Sequence, residues 1–160
     1  MADLLVKLYG LPPSAPLVEK LRAGGVEIKR AIGPEKQAIA DWVEKYFSRA
    51  WASECEVALS AQPASCFIAV RAGQIAGFAC YDATAKGFFG PIGVDEAART
   101  GGLGKALLIR TLEAMREAGY GYAVVGWAGP VDFFKKTVGA VVIEGSEPGV
   151  YADMVKAAKR

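Results

Sequence analysis

Apolar and polar residues along the chain follow two spacings, which together predict a mixed α/β fold. Patterns typical of strands occur at residues 4–9, 26–32, 66–71, 74–81, 87–94, 122–127 and 140–143. Patterns typical of helices occur at residues 15–23, 34–47, 51–59 and 103–118, and between Pro130 and Gly139. The order is two strand–helix units, a β-meander, and then helix–strand–helix–strand. It predicts a central, mostly antiparallel sheet flanked by helices.

Turn and cap residues refine some of these boundaries. Ser14 follows a Leu-Pro-Pro turn and is a candidate N-cap for the first helix. Because Pro91 cannot donate a hydrogen bond to a neighbouring strand, Gly90-Pro91 predicts an edge, a bulge or a break in pairing. The apolar segment 140–143 predicts a last strand in the core.

Composition narrows the class of protein. The length of 160 residues and the 52% share of hydrophobic residues predict one globular domain. The net charge is only +2, so nucleic acid and an anionic membrane surface are poor candidate partners. Asp3 precedes any long apolar run, so the N-terminus does not have the pattern of a signal peptide. The longest uncharged stretches, 57–70 and 118–131, fall short of the ~20 residues that cross a bilayer. We therefore expect a cytoplasmic protein.

Two residue types exclude whole classes of chemistry. The chain has no histidine, so it lacks Ser-His and Cys-His nucleophile pairs and any zinc site built on histidine. The three cysteines have no C-x-x-C spacing and are odd in number, and we interpret them as reduced, buried thiols. No metal is expected.

The glycine-rich segment from Arg99 to Lys105 carries the clearest chemical signal. It lies between a predicted strand and a predicted helix, where glycines can turn backbone N–H groups and a helix N-terminus toward one anion. A Walker A loop is excluded because it needs Ser or Thr where Ala106 stands. A dinucleotide-binding G-x-G-x-x-G motif is excluded because Leu107 occupies its third glycine position.

What fits is Arg-x-x-Gly-x-Gly, formed by Arg99, Gly102 and Gly104. This segment resembles the pyrophosphate-binding loop Q/R-x-x-G-x-G/A of the GNAT superfamily of acyl-CoA-dependent N-acyltransferases. The segment 133–140 is similar to that family's F-Y-x-K-x-G-F helix. The resemblance covers about residues 65–145, which would be a cofactor-binding core. Residues 1–60 would be a strand–helix lead-in and 146–160 a C-terminal tail of the same domain.

The resemblance implies a GNAT-like fold in which the family's fourth and fifth strands splay apart to admit acetyl-CoA. In this sequence, Ile92-Gly93-Val94 is similar to the family's fourth strand. Backbone N–H groups of the loop would hold the cofactor's pyrophosphate, and the fourth strand would pair with its pantetheine arm. The implied cofactor-binding residues are Ile92, Gly93, Val94, Arg99, Thr100, Gly101, Gly102, Leu103, Gly104, Lys105, Phe134 and Lys136. A backbone N–H near Ile92 would donate to the oxyanion.

The residues for proton transfer depart from the family pattern. The tyrosine that often protonates the leaving thiolate is replaced by Phe134, and Trp127 or its neighbour replaces an asparagine. Tyr151 in the tail is the candidate acid, although it could simply close the core. Glu54 is the candidate base, although it could be a solvated surface carboxylate, and bulk water could do the same work.

The resemblance thus implies an enzyme that moves an acetyl group from acetyl-CoA to a primary amine of a small molecule or peptide. The alternative on the same fold is a non-catalytic acyl-CoA-binding or sensing module, which the loss of the tyrosine at Phe134 favours. A protein-interaction domain without a cofactor is a third class. The resemblance also allows a homodimer, and the sequence does not identify the acceptor.

Overall fold

The computed structural model describes residues 1–99 and 101–158. Its strands are β1 (Leu4–Lys7), β2 (Val26–Arg30), β3 (Cys66–Arg71), β4 (Gln74–Tyr81), β5 (Phe88–Val94), β6 (Tyr122–Val125) and β7 (Val141–Val142). Its α-helices are α1 (Ala15–Ala23), α2 (Lys36–Tyr46), α3 (Arg49–Leu59), α4 (Leu103–Glu117) and α5 (Val131–Val138). No helix among these residues is both long enough and apolar enough to cross a membrane.

All seven strands form one sheet in the order β2-β3-β4-β5-β6-β1-β7. Strands β5 and β6 run parallel, and every other neighbouring pair is antiparallel. This confirms the mixed α/β class with a mostly antiparallel sheet. Strand β1 lies between β6 and β7, so the first strand of the chain is built into the C-terminal half of the sheet.

Helices cover both faces of the sheet. Apolar side chains of α1, α4 and α5 form one core, and those of α2 and α3 form a second core on the other face. Strand β3 shows the division, since Phe67 and Ala69 belong to the first core and Cys66 and Ile68 to the second. Central strands buried on both faces have continuous apolar runs rather than alternation. The three cysteines are free and buried, as expected.

The last predicted strand is shorter and more exposed than expected. Within 140–143 only Val141 and Val142 form a strand, and they are 46% and 44% exposed. They pair with β1 on one side and lie at the sheet edge on the other. Ala140, just before the strand, is buried in the first core. The prediction of a core strand was therefore wrong for Val141 and Val142, because an apolar run does not reveal which strand lies at an edge.

Ser14 precedes α1 as predicted, but it does not cap the helix. Its side chain makes no capping hydrogen bond. Its hydroxyl and its backbone N–H instead donate to the carboxylate of Glu113 on α4. The residue therefore joins two helices on the same face of the sheet, a role that a local capping pattern cannot reveal.

The predicted irregularity at Gly90-Pro91 is a β-bulge. Ala79 of β4 pairs with Ile92 of β5, and Tyr81 of β4 pairs with Phe89 of β5. The step between these two pairs is two residues along β4 but three residues along β5, so β5 has one extra residue. The extra residue is accommodated at Gly90, which has a φ of +122°. Residues that carry a side chain rarely adopt this backbone conformation.

Aromatic side chains pack against β5 from the second core. Phe47 and Phe78 meet at 5.7 Å between ring centroids, and Trp51 stacks on Phe47 at 5.3 Å. A Cβ at Gly93 would lie 2.8 Å from ring atoms of both Phe47 and Phe78. The rings thus approach the strand backbone directly, which only glycine permits.

We predict that Gly93→Ala lowers the free energy of unfolding by about 1–3 kcal/mol, because the added methyl group overpacks a closed aromatic cluster. Urea denaturation measures the change as a lower midpoint at an unchanged slope. Gly10→Ala is the matched control, since a Cβ there meets nothing within 4 Å. Equal midpoints for the two variants would contradict the close packing.

Candidate active site

Strands β5 and β6 pair only briefly and then diverge. Their register includes Phe88 with Val124 and Phe89 with Val125, after which β5 continues along β4 alone. The parallel pair therefore opens into a cleft just after the bulge.

The β5 edge of this cleft has free backbone polar groups. The N–H of Asp95 donates to the C=O of Ala76 at 2.9 Å. Because antiparallel strands alternate bonded and non-bonded pairs, Gly93 bonds toward β4, whereas Ile92 and Val94 turn their N–H and C=O groups away from it. These groups face the gap that β6 leaves, so the cleft can accept an extended polar ligand as an added strand.

The glycine-rich segment forms a turn that leads into α4. Gly101 and Gly102 have φ angles of +80° and +81°, and Gly102 is the N-cap residue. The N–H of Ala106 donates to the C=O of Gly102 at 2.9 Å, so the first N–H groups of the helix have no intrahelical partner. No side chain of the described residues caps them.

Charge and space at this turn suit an anion. Arg99 and Lys105 are exposed on either side of the two glycines, and the positive end of the α4 dipole lies between them. A Cβ at Gly101 would meet nothing within 4 Å, so the approach to the backbone is open. Thr100 lies outside the described residues. The turn therefore fits the pyrophosphate that the sequence motif predicts.

A cavity of about 440 Å³ occupies the cleft between β5 and β6. Its walls are formed by six segments: α3, the β4–β5 loop, the β5 bulge, the chain after β6, α5 and the C-terminal tail. Both predicted catalytic candidates line it, Glu54 from α3 and Tyr151 from the tail, and so do Ile92 and Phe134. The structure thus brings together groups that are far apart in sequence.

Glu54 is partly buried beside the β4–β5 loop. Its carboxylate accepts a hydrogen bond from the hydroxyl of Thr84. Burial raises the pKa of Glu54 above its usual value, and the bond from Thr84 offsets part of that rise. A carboxylate with a raised pKa is a better proton acceptor near neutral pH than a solvated one. Thr84 was not singled out by the sequence, because nothing local links it to Glu54.

Tyr151 lies flat against Trp127, with 4.2 Å between ring centroids and 25° between ring planes. Its hydroxyl packs on the backbone of Gly126, where a Cβ would collide with it. Burial, together with the nearby carboxyl groups of Asp3 and Glu54, raises the pKa of Tyr151 to about 12. The hydroxyl is therefore protonated at neutral pH and can donate a proton or a hydrogen bond.

Asp3 holds this corner of the site in place. It is buried, and its carboxylate accepts a hydrogen bond from the N–H of Trp127 at 3.1 Å. Its own N–H donates to the hydroxyl of Ser146 at 2.9 Å. Asp3 thus joins the start of β1 to the segment after β6 and to the tail. The sequence shows only an acidic residue before an apolar strand, which is not a signal for this role.

Two residues of the predicted second motif occupy different surroundings. Phe134 is 2% exposed, and its ring meets Phe133 at 5.3 Å and Phe89 at 6.2 Å, both edge-on. It forms part of the cavity floor. Lys136 is exposed on α5 and outside the cavity lining.

A comparison with family models matches residues 36–139 to the acetyltransferase (GNAT) family. The chain belongs to this family. The matched region runs from α2 through α5 and includes the cleft, the glycine-rich turn and most of the cavity. No curated protein matches the chain.

Solved structures share the GNAT fold with this chain. A GCN5-related glucosamine N-acetyltransferase region of a fungal multidomain GH3 β-N-acetylglucosaminidase is similar over 89% of this chain, with a TM-score of 0.71 and 12% identity. A GCN5-related N-acetyltransferase from Sphaerobacter thermophilus also covers 89%, with a TM-score of 0.66 and 21% identity. A GNAT family acetyltransferase from Brucella melitensis in complex with acetyl-CoA covers 69%, with a TM-score of 0.53 and 21% identity.

This GNAT chain is shorter than the fungal protein and the Sphaerobacter protein. It spans 19% of the fungal protein, 48% of the Sphaerobacter protein and 80% of the Brucella protein. At these identities the likeness concerns the fold, and the first two proteins contain further regions.

We predict that one tyrosine ionises at about pH 12 and that Tyr151→Phe removes this step. Because the pKa is raised from 10.0 in the unfolded chain, the unfolded state loses its proton first. The stability that neutral Tyr151 contributes is therefore present below pH 10 and is lost as the pH rises through about 12. Tyrosinate absorbance measures the ionisation. The control is Tyr46→Phe, which alters an exposed tyrosine outside the cavity and should leave the ionisation step in place. If the step is still present in Tyr151→Phe, the assignment to Tyr151 is wrong.

Proposed function

We propose that the protein is an N-acetyltransferase that transfers an acetyl group from acetyl-CoA to a primary amine of a small molecule or peptide. The observation that carries the proposal is the alignment of three features along one strand. The anion-binding turn follows the C-terminal end of β5, the free backbone edge lies along β5, and the cavity lies at its bulge. An extended ligand with a phosphate group and a reactive end fits this sequence of surfaces.

The turn would hold acetyl-CoA by its pyrophosphate. The N–H groups of Gly101 through Lys105 are the donors, with Arg99 and Lys105 supplying positive charge. The C=O of Ile92 and the N–H and C=O of Val94 would bind the amides of the pantetheine arm, which leaves the N–H of Ile92 for the acyl oxygen. Acetyl-CoA supplies an activated acyl group as a thioester, and the chain's residues bind it, exclude water and move protons.

The cavity has groups for both proton transfers. An aliphatic amine has a pKa of about 10 and is a nucleophile only after it loses a proton. Glu54 is positioned to accept that proton, and its raised pKa supports the role of base. Tyr151 remains protonated at neutral pH, which supports the role of acid. The N–H of Ile92 is a donor to an acyl oxygen.

Binding without catalysis remains the second candidate, because Phe134 has no hydroxyl and packs among other aromatic rings. The two functions differ in one measurement. Mixing the protein with acetyl-CoA and a panel of amines releases free thiol only if transfer occurs. We expect release with at least one amine; calorimetric binding of CoA with no thiol release by any amine would instead identify a binding module.

We predict that Gly102→Glu abolishes CoA binding, because the side chain would put a carboxylate beside the N–H groups of the turn. Isothermal titration calorimetry with CoA measures the effect. Gly25→Glu is the matched control, since Gly25 has a φ of +88° against +81° at Gly102 and therefore imposes a similar backbone strain far from the turn. CoA affinity that is the same in both variants would contradict the binding site.

We also predict that Gly126→Ala lowers kcat at least about tenfold, because the new methyl group would displace the Tyr151 hydroxyl. CoA affinity should not change, since the turn is distant. Gly129→Ala is the matched control, because a Cβ there meets nothing within 4 Å. Wild-type kcat in Gly126→Ala would remove Tyr151 from the reaction.

A further inference from the structure

We infer that the acceptor is a primary amine with a single positive charge and a flat apolar body, which lies against the Trp127–Tyr151 ring pair while its ammonium group faces Glu54. This inference rests on the proposed N-acetyltransferase function and names the acceptor class of the same cavity.

The charge of the cavity limits the acceptor to one ammonium group. Among the described residues that line it, Glu54 is the one carboxylate. The nearby Asp3 is buried and does not line the cavity, and its Oδ1 accepts the hydrogen bond from the N–H of Trp127. A polyamine or an aminoglycoside has several ammonium groups, and each one placed in this cavity without a carboxylate would lose its hydration without compensation.

The walls favour an apolar body. Apart from Glu54, Thr84, the Tyr151 hydroxyl and the indole N–H groups of the two tryptophans, the side chains at the cavity surface are apolar, among them Phe89, Pro91 and Pro130. A peptide or a sugar would bring backbone amides or hydroxyls against these walls, where few polar groups can pair with them. A hydrocarbon or aromatic body loses nothing there and gains from burial.

Trp127 supplies a flat surface at a cost in backbone strain. Its φ is +47°, in the left-handed region that bulky residues rarely adopt, and the bond from its N–H to Asp3 holds it there. The indole stacks on Tyr151 yet is 42% exposed. Strained residues of this kind are concentrated at functional sites. Glycine or asparagine would suit this backbone better, so the use of tryptophan points to the ring itself.

The first test compares acceptors at saturating acetyl-CoA. We expect kcat/KM for 2-phenylethylamine and tryptamine to exceed that for n-hexylamine, spermidine, glucosamine and tetra-alanine by about tenfold or more, the range of one stacked aromatic pair with its buried area. Free-thiol release is the readout. No release with any amine would overturn the proposed function and this inference with it, whereas fastest release with spermidine, glucosamine or tetra-alanine would overturn this inference alone.

The second test removes the ring without adding strain. Trp127→Gly relieves the positive φ, so the chain should fold, which circular dichroism can verify. We expect KM for 2-phenylethylamine to rise about tenfold and KM for n-hexylamine about threefold at most, with Trp127→Phe restoring most of the difference. Any loss of support for Tyr151 acts on both amines alike, so the ratio of the two KM values isolates stacking.

The control for this test is Tyr9→Ala, which removes an exposed aromatic ring next to Tyr122 at the start of β6. Neither tyrosine lines the cavity. We expect it to leave the KM ratio unchanged. If Trp127→Gly leaves the ratio of the two KM values unchanged, whether or not both values rise, the stacking role is overturned.

Discussion

The parallel pairing of β5 with β6 ends almost as soon as it begins, and the site depends on that early end. The pairing begins at Phe88 of β5 and Val124 of β6, but the bulge at Gly90-Pro91 turns β5 away. Had the pairing continued, β6 would occupy the N–H and C=O groups of Ile92 and Val94. The same divergence opens the cavity beside the bulge. One local change in backbone geometry therefore creates both the edge that can bind an extended ligand and the space in which its end can react.

A second constraint acts from the other side of the cleft. Strand β1 is inserted between β6 and β7, which places Asp3 beside the chain that leaves β6. Its carboxylate fixes the strained Trp127, and its backbone fixes the tail that carries Tyr151. The strand–helix lead-in therefore supports the cavity, which favours our proposal that it belongs to the same domain as the rest of the chain.

The sequence predicts local features of this fold well and distant ones poorly. Strands 66–71 and 74–81 and helix 15–23 have the predicted limits, because turns and periodicity are written in neighbouring residues. An edge, a bulge or a break in pairing was also predicted at Gly90-Pro91, since proline excludes a ladder bond there, and the structure has a bulge. The place of β1 and the exposure of β7 were not, because both depend on which strands meet across the whole chain. Ser14 shows the same limit, since its partner Glu113 lies on another helix.

In the proposed reaction, one apolar enclosure would prepare two different proton carriers. The glycine-rich motif predicted the turn that we propose binds the pyrophosphate. Nothing in the sequence indicated that Glu54 and Tyr151 lie in one cavity, and no signal marked Thr84 and Asp3. Burial raises the pKa of both candidates. The raised pKa of Glu54 lies closer to neutral pH, which makes the carboxylate a stronger base. The raised pKa of Tyr151 lies further from neutral pH, which keeps the hydroxyl protonated. In our proposal the tail would thus supply the hydroxyl that Phe134 lacks, because the reaction requires a protonated donor in the cavity rather than a residue at a fixed place in the chain.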